Sequence, residues 1–292
     1  MQTKPKVSVV IGTYNRIDFL KPTIETVRIE LKNALHEIII IDGGSTDGTT
    51  DWLIAQKDII AIIQHNRGEW RGKQIERKSW GYFMNLGFRA ASAQYICMLS
   101  DDCLVIPGAI KNGLSLFDKE LKAGKKIGAV AFYWRNWPEQ EQYWVGLGWG
   151  NRMFVNHGLY SREALQAVNY IDADSYFFYH ADGDLCLRLA DASYTTIDSP
   201  DSYIEHYSDA NTEIRASNLE RQKKDWSTYQ KRWQHLGAPE LDWIKKNFTD
   251  KYQTAKNYWS KLPTDIPSEL ACEPRTKTPT LTQRIKARAR KF

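Results

Sequence analysis

Three short polar runs, each set directly after an apolar run, are where this chain can do chemistry. Gly12-Thr13-Tyr14-Asn15-Arg16 follows Val7 to Ile11, Asp42-Gly43-Gly44-Ser45 follows Ile38 to Ile41, and Ser100-Asp101-Asp102 follows Tyr95 to Leu99. Short apolar runs of this kind read as strands buried on both faces. In an open parallel sheet, ligands sit beyond the carboxyl ends of such strands, so the three polar runs should share one edge. Asp42 at that edge can accept hydrogen bonds from the N–H groups of a base or from a ribose hydroxyl. The glycines after it permit a tight turn and close approach of a ligand. The competing use of this loop is structural, with Asp47 or Thr46 capping the next helix. Asp101 and Asp102 are costly after an apolar strand unless paired or bound to a cation. Mn²⁺ or Mg²⁺ takes oxygen ligands and bridges phosphate oxygens. One carboxylate on a metal and one on a ribose would bring a nucleoside diphosphate into register. The competing use is capping of a helix near Pro107.

The elements that must position these groups alternate. Strands are predicted at Val7–Ile11, Ile38–Ile41, Ile59–Ile63, Tyr95–Leu99 and Ile127–Tyr133, with helices over Phe19–Leu31, Thr49–Ala55 and Ser79–Ala93 and from Pro107 toward Leu121. Pro107 suits a first helical turn. This alternation predicts an α/β fold: an open, mostly parallel twisted sheet with helices on both faces. After Trp134 the rhythm changes. Short helices are expected at Arg162–Val168 and Gly183–Ala192, short strands at Thr195–Ile197 and Tyr203–Glu205, and helices at Leu219–Leu236 and Leu241–Phe248. From Leu262 on, Pro263, Pro267, Pro274 and Pro279 mark a linker.

A net charge of +5 over 292 residues argues against a nucleic-acid binder. Cys97, Cys103, Cys186 and Cys272 form neither a CxxC pair nor a zinc spacing, which fits a reduced, cytoplasmic setting. The N-terminal apolar run is too short for a signal peptide, and no segment is long and apolar enough to span a bilayer. The last twelve residues, LTQRIKARARKF, place Leu281, Ile285, Ala289 and Phe292 at helical spacing among basic residues. That pattern fits either peripheral contact with an anionic membrane, on the inner face of the cell membrane, or a solvated tail.

The runs VSVVIGTYNR, EIIIIDGGSTDGT and NLGFRAASAQYICMLSDD, in that order, resemble family 2 of the inverting glycosyltransferases, which carry a GT-A fold. The resemblance covers roughly residues 6 to 210. It implies a GT-A domain over 1–210, with a nucleotide-binding half to about 103 and an acceptor half beyond, then a C-terminal helical extension over 211–262 and the linker and tail over 263–292. Carried onto this chain, the family pattern has Thr13, Tyr14 and Arg16 line a nucleotide pocket, Asp42 contact the base and Asn85 lie near the nucleotide-sugar. Asp101 then touches the ribose, and Asp102 ligates the metal. HADGDLCLRL, residues 180 to 189, resembles the family's acidic "ED-x-D" stretch and makes Asp182 the catalytic base. The competing role for Asp182 is a helix N-cap, and Asp184 with Arg188 suits an ion pair four residues apart. His206, in YIEHYSD, stands where related enzymes complete metal binding; a lone histidine can equally be structural. The chain departs from the pattern at Gly43, Ser100 and Ala181, where the family carries acids.

The reading is therefore a metal-dependent hexosyltransferase-type enzyme of polysaccharide biosynthesis, with Mn or Mg as its divalent cation. It would take a UDP-, GDP- or dTDP-sugar as donor and a glycan or lipid-linked hydroxyl as acceptor. Cationic side chains of Arg67–Lys73 are expected on the diphosphate or in a solvated loop. Trp134, Trp137, Trp144 and Trp149 are expected near the acceptor or in the core, and His157 is expected to line the acceptor cleft or to close a turn. Two alternatives stand: a sugar-phosphate nucleotidylyltransferase, disfavoured because GTYNR lacks a glycine-rich basic loop, and a non-catalytic nucleotide- or glycan-binding module.

Overall fold

The computed structural model describes residues 4–136, 140, 142–207 and 212–246. The N-terminal half is built as its hydrophobic pattern requires. Strand β1 (Val7–Thr13) is followed by helix α1 (Ile17–Leu31), β2 (His36–Asp42), α2 (Thr49–Ala55) and β3 (Ile59–Ile63). A two-strand hairpin comes next, β4 (Glu69–Trp70) with β5 (Lys73–Gln74), then α3 (Trp80–Ala90), β6 (Tyr95–Ser100), β7 (Cys103–Val105) and α4 (Ala109–Lys122). Strands β3, β2, β1 and β6 lie side by side and parallel. Alternate residues of these strands serve two separate cores. Val7, Val9 and Ile11 pack with Leu20, Ile24 and Val27 of α1, whereas Val10, Ile39 and Ile41 pack with Phe83, Met84 and Phe88 of α3. This two-sided burial is why β1, β2 and β6 read as unbroken apolar runs, whereas β3 at the edge of the sheet is only partly buried. Gly87 lets α3 lie close on the sheet, since a Cβ there would come within 2.5 Å of both Ile41 and Val10.

The register sets the site. Thr13 pairs with Asp42, and Gly12 pairs with Ser100, so the three polar runs leave the sheet at one edge. One boundary differs from expectation. Helix α4 begins after Gly108, whose φ of 93° is left-handed, so Pro107 lies just ahead of the helix. Glu30 of α1 accepts from the backbone N–H groups of Gly108 and Lys111, an acid placed where the helix dipole favours it.

Beyond α4 come β8 (Ile127–Asn136), β9 (Tyr143–Gly148), β10 (Arg152–Met153), β11 (Gly158–Ser161), α5 (Arg162–Ala167), α6 (Ala181–Asp191), β12 (Thr195–His206), α7 (Thr212–Trp233) and β13 (Trp243–Lys246). Strand β11 enters antiparallel between β6 and β8. The two short strands expected at 195–205 are one strand, β12, parallel to β8 and interrupted by an irregularity between Ser199 and Tyr203. Pro200, which has no N–H for the ladder, sits within that interruption. Over the described part of the helix expected at Leu241–Phe248 the chain is instead a strand: Trp243–Lys246 runs antiparallel to β9. The helical spacing of Leu241, Ile244 and Phe248 is overridden by a free strand edge, and the Trp243 ring lies 4.6 Å from that of Trp144. Helix α7 is anchored by Tyr229 and Trp233, which join the core on the α3 side. Among the described residues no helix is long and apolar enough to cross a membrane. The linker and basic tail expected over 263–292 lie outside the described residues.

Candidate active site

The first and third polar runs are tied together by charge. Arg16 Nη1 lies 2.9 Å from Asp101 Oδ1 and 2.7 Å from Asp102 Oδ2. Thr13 Oγ1 donates to Asp101 Oδ2 at 2.8 Å. All of these groups are largely buried. Burial opposes the charge of Arg16, yet the two carboxylates outweigh it and hold the guanidinium charged more firmly than usual. Burial pushes the Asp101 carboxyl up, against the pull of Arg16. His206 at the end of β12 approaches the same point, with Nε2 3.4 Å from Asp102 Oδ1. Asn136 orients this ring through a 2.9 Å contact to Nδ1. Ser100, where the family carries an acid, contacts His157 Nε2 at 3.2 Å. His157 is buried, and burial, with help from His206, lowers its pKa to about 3. It therefore backs the site as a neutral ring and does not enter the cavity lining.

The second polar run is used differently. Asp42 is fully buried and accepts from Ser45 N at 3.1 Å, from Ser45 Oγ at 2.5 Å and from Thr50 Oγ1 at 2.5 Å. Its carboxylate is turned into its own loop. Gly44 makes that turn possible, with φ of 83° and no room for a Cβ beside His65. Asn15 locks the loop to the first run: its N–H donates to Ser45 Oγ at 2.8 Å and its Oδ1 accepts from Thr46 N at 2.7 Å. Asp47 accepts from Thr49 at the start of α2 and from Ile17 N at the start of α1. It thus serves two helix starts, in line with the capping role. Asn85 is also taken up internally. Its side chain exchanges two hydrogen bonds with the backbone of Ile171, so Asn85 latches α3 to the segment ahead of α6 while Gly87, two residues on, allows close packing on the sheet.

A cavity of about 360 Å³ opens over the Asp101–Asp102 edge. Its described lining includes Thr13, Tyr14, Arg16, Asp101, Asp102 and His206. Asp42, Asn85 and Asp182 are not part of that lining. The far wall is Phe177, Phe178 and Tyr179. Arg67 and Arg77 also face the cavity, with Arg67 stacked 5.0 Å from the Tyr14 ring. The rest of the Arg67–Lys73 segment leads into the small β4–β5 hairpin, with Trp70 exposed. Asp182 is the second residue of α6, immediately beyond that far wall. It is half-buried, and burial pushes its carboxyl up, countered by the Gly183 N–H at 2.9 Å and by His180. Asp184 and Arg188 form the expected ion pair at 2.7 Å.

Of the tryptophans expected near an acceptor, Trp134 and Trp144 pack on each other at 3.8 Å within the sheet, while Trp149 faces Trp226 at 6.3 Å. Trp137 lies outside the described residues. Sequence reasoning missed Asp225, Tyr229 and Trp233 on α7, which hold the segment carrying Asp182. Their spacing of four was the signal, hidden by the charged residues between them.

Asp102 and His206 supply one oxygen and one nitrogen donor facing the same point, a donor pair that suits Mn²⁺. Among the described residues no cluster of three or more such side chains is present. The alternating sheet, with acids at the carboxyl edge beside a nucleotide-sized cavity, defines a GT-A-type fold. The chain matches the family described as "Glycosyl transferase family 2" over residues 8–161 and belongs to that family. An uncharacterized glycosyltransferase of Rickettsia felis is 36% identical over 116 residues, 39% of this chain and 17% of that protein. The poly-beta-1,6-N-acetyl-D-glucosamine synthase of Staphylococcus aureus is 28% identical over 126 residues, 42% of this chain and 28% of that one. The chain thus spans less than a third of these two relatives. Among solved structures, a mannosyltransferase from Pyrobaculum calidifontis in complex with GDP-Man and Mn²⁺ superimposes with a TM-score of 0.54 at 16% identity, over 79% of this chain and 65% of that one.

Proposed function

We propose that this protein is an inverting, metal-dependent glycosyltransferase that moves a sugar from a nucleotide-sugar onto a hydroxyl of a bacterial surface glycan or its lipid-linked precursor. The observation that carries the reading is the convergence of Arg16, Asp101, Asp102 and His206 from three separate parts of the chain on one cavity edge. Thr13, Tyr14, Arg16 and Asp101 would line the nucleoside side. Asp42 and Asn85 act from behind the wall, by fixing the loop and helix that form it. Asp102 and His206 would hold a divalent cation, which supplies charge neutralisation for the diphosphate as it leaves.

In the reaction, an acceptor oxygen forms a bond to the anomeric carbon while the bond from that carbon to the diphosphate oxygen breaks, and the electron pair leaves with the diphosphate. Asp182 takes the proton of the acceptor hydroxyl. Burial raises its carboxyl above the ordinary carboxylate range, which makes the carboxylate a stronger proton acceptor than a solvated one. The domain limits read from the sequence, 1–210, 211–262 and 263–292, are kept as part of this proposal, as is membrane contact through the basic tail. Lipid-linked acceptors would make that contact useful.

Incubation with Mn²⁺ and a panel of UDP-, GDP- and dTDP-sugars should release a nucleoside diphosphate from at least one donor. Release of pyrophosphate from a nucleoside triphosphate would instead point to nucleotidyl transfer, and binding without turnover to a binding module. Asp182→Asn should bind nucleotide as the wild type does and lose turnover by about 10²- to 10⁴-fold. Full activity in that variant would remove Asp182 as the base.

A further inference from the structure

Helix α7 lies beyond the residues that match the family, yet one stripe of it grips the wall of the cavity. Its members, Arg221, Asp225, Tyr229 and Trp233, are four residues apart, so they fall on one face of the helix. They meet the segment from Phe177 to Asp184 in the same order. Arg221 lies 4.7 Å from the Phe177 ring centre, which Arg77 also approaches, at 4.9 Å. Asp225, which is 1% exposed, accepts from three successive backbone N–H groups: Phe177 at 2.9 Å, Phe178 at 2.8 Å and Tyr179 at 2.9 Å. Tyr229 lies flat against His180, with ring centres 5.2 Å apart. Trp233 Nε1 donates to Asp184 Oδ1 at 2.9 Å.

We infer that Asp225 is a positioning residue: it fixes the cavity wall Phe177–Tyr179 and, through His180, the placement of Asp182. Three consecutive N–H groups converge on one carboxylate only when the chain curls into a concave turn. Charged acceptors give the stronger hydrogen bonds. The next residue, His180, is held at a left-handed φ of 64° directly ahead of α6, a conformation uncommon for a residue other than glycine. Such a conformation persists where its surroundings determine it, and here Asp225 fixes the residues before it while Tyr229 covers its ring. Asp182 lies two residues further on. A displacement of 1 Å at a reacting group can lower a rate about 100-fold.

The inference rests on Asp182 acting as the base, so its test has one readout that needs no turnover. In Asp225→Asn, hydrogen exchange should quicken at least tenfold at the amides of Phe177, Phe178 and Tyr179 and spread to Ala181–Asp184, while β1, β2 and β6 stay protected. With Mn²⁺ and whichever of UDP-glucose, UDP-N-acetylglucosamine, GDP-mannose or dTDP-glucose the wild type hydrolyses, kcat should fall about 10- to 100-fold. Binding of the nucleoside diphosphate should change less than about threefold. If Asp225→Asn does not fold, Asp225→Glu, which keeps the charge but moves the oxygens, carries the same expectations. Unchanged exchange at 177–184 overturns the inference, as does a loss of activity and nucleotide affinity in equal measure. If the wild type hydrolyses none of these donors, the transferase reading is what suffers. Exchange then decides the positioning role alone: spread to Ala181–Asp184 supports it, and confinement to 177–179 overturns it.

Discussion

The ends of β2 and β6 are near twins in sequence and opposites in use. Each is a mainly apolar strand with acid at its carboxyl edge in one parallel sheet: Asp42 is the last residue of β2, and Asp101 and Asp102 follow Ser100, the last residue of β6. At β2, Asp42 finds its partners within eight residues, in Ser45 and Thr50, and its carboxylate never leaves its own loop. At β6, Asp101 and Asp102 have few local donors. They turn to Arg16 and Thr13, more than eighty residues away in the chain, and to His206 from β12. The difference teaches that an acid surrounded by neighbouring hydroxyls becomes structure, whereas an acid matched to distant cationic or imidazole groups shapes a site. Substitutions at the two ends should therefore separate binding from stability.

The largest effect belongs to Asp102. Asp102→Ala should weaken Mn²⁺-dependent binding of a nucleoside diphosphate at least about 100-fold, roughly 3 kcal/mol, with binding in EDTA little changed. Calorimetric titration with and without the metal checks this, and equal losses under both conditions would erase the proposed distinction. Asp42→Asn should show the reverse. It leaves buried hydroxyl and amide donors short of an acceptor, which costs about 1–3 kcal/mol. That loss should be seen in urea unfolding, with nucleotide affinity following only so far as the Gly43 wall shifts.

How much of this was legible from sequence follows from the same contrast. The parallel strands were readable to within a residue or two, because burial on both faces leaves an unbroken apolar run. The shared edge followed from them. What the chain did with Asp42 was not readable, since the choice between Ser45 and a ligand depends on rotamers set by Gly44 and Asn15. The strand at Trp243–Lys246 was hidden because Leu241, Ile244 and Phe248 imitate a helix, and only the free edge of β9 decides otherwise. The role of α7 was concealed for a related reason: Asp225 reads as one more surface charge until the backbone of Phe177–Tyr179 is placed beside it.

A smaller, pH-dependent effect separates the two ends again. His157 backs the β6 end through Ser100 and has its folded pKa lowered to about 3, chiefly by burial, from the ordinary 6.5. Above pH 6.5 the ring is neutral in both folded and unfolded chains and adds no pH dependence. As pH falls from 6.5 toward 3, the unfolded chain takes up a proton that the folded chain refuses, so stability drops by about 1.4 kcal/mol per pH unit from this group. His157→Gln should flatten that part of the stability curve between pH 6.5 and 5. Superimposable wild-type and variant curves would show that the ring does not resist protonation.

The smallest effect is the most discriminating. Ser45 stands between Asp42 and Asn15, giving its hydroxyl proton to one and accepting the N–H of the other. Ser45→Ala removes both bonds but leaves the Ser45 amide on Asp42 and the Asn15 side chain on Thr46. Because the loop remains stitched, the expected loss is about 1 kcal/mol in urea unfolding, the net value of one or two ordinary hydrogen bonds. Arg16, one residue beyond Asn15, is held by two carboxylates, so metal-dependent nucleotide binding should stay within about twofold of the wild type. A loss of affinity rivalling that of Asp102→Ala would mean that the β2 loop holds ligand directly, and that the two strand ends work as one site after all.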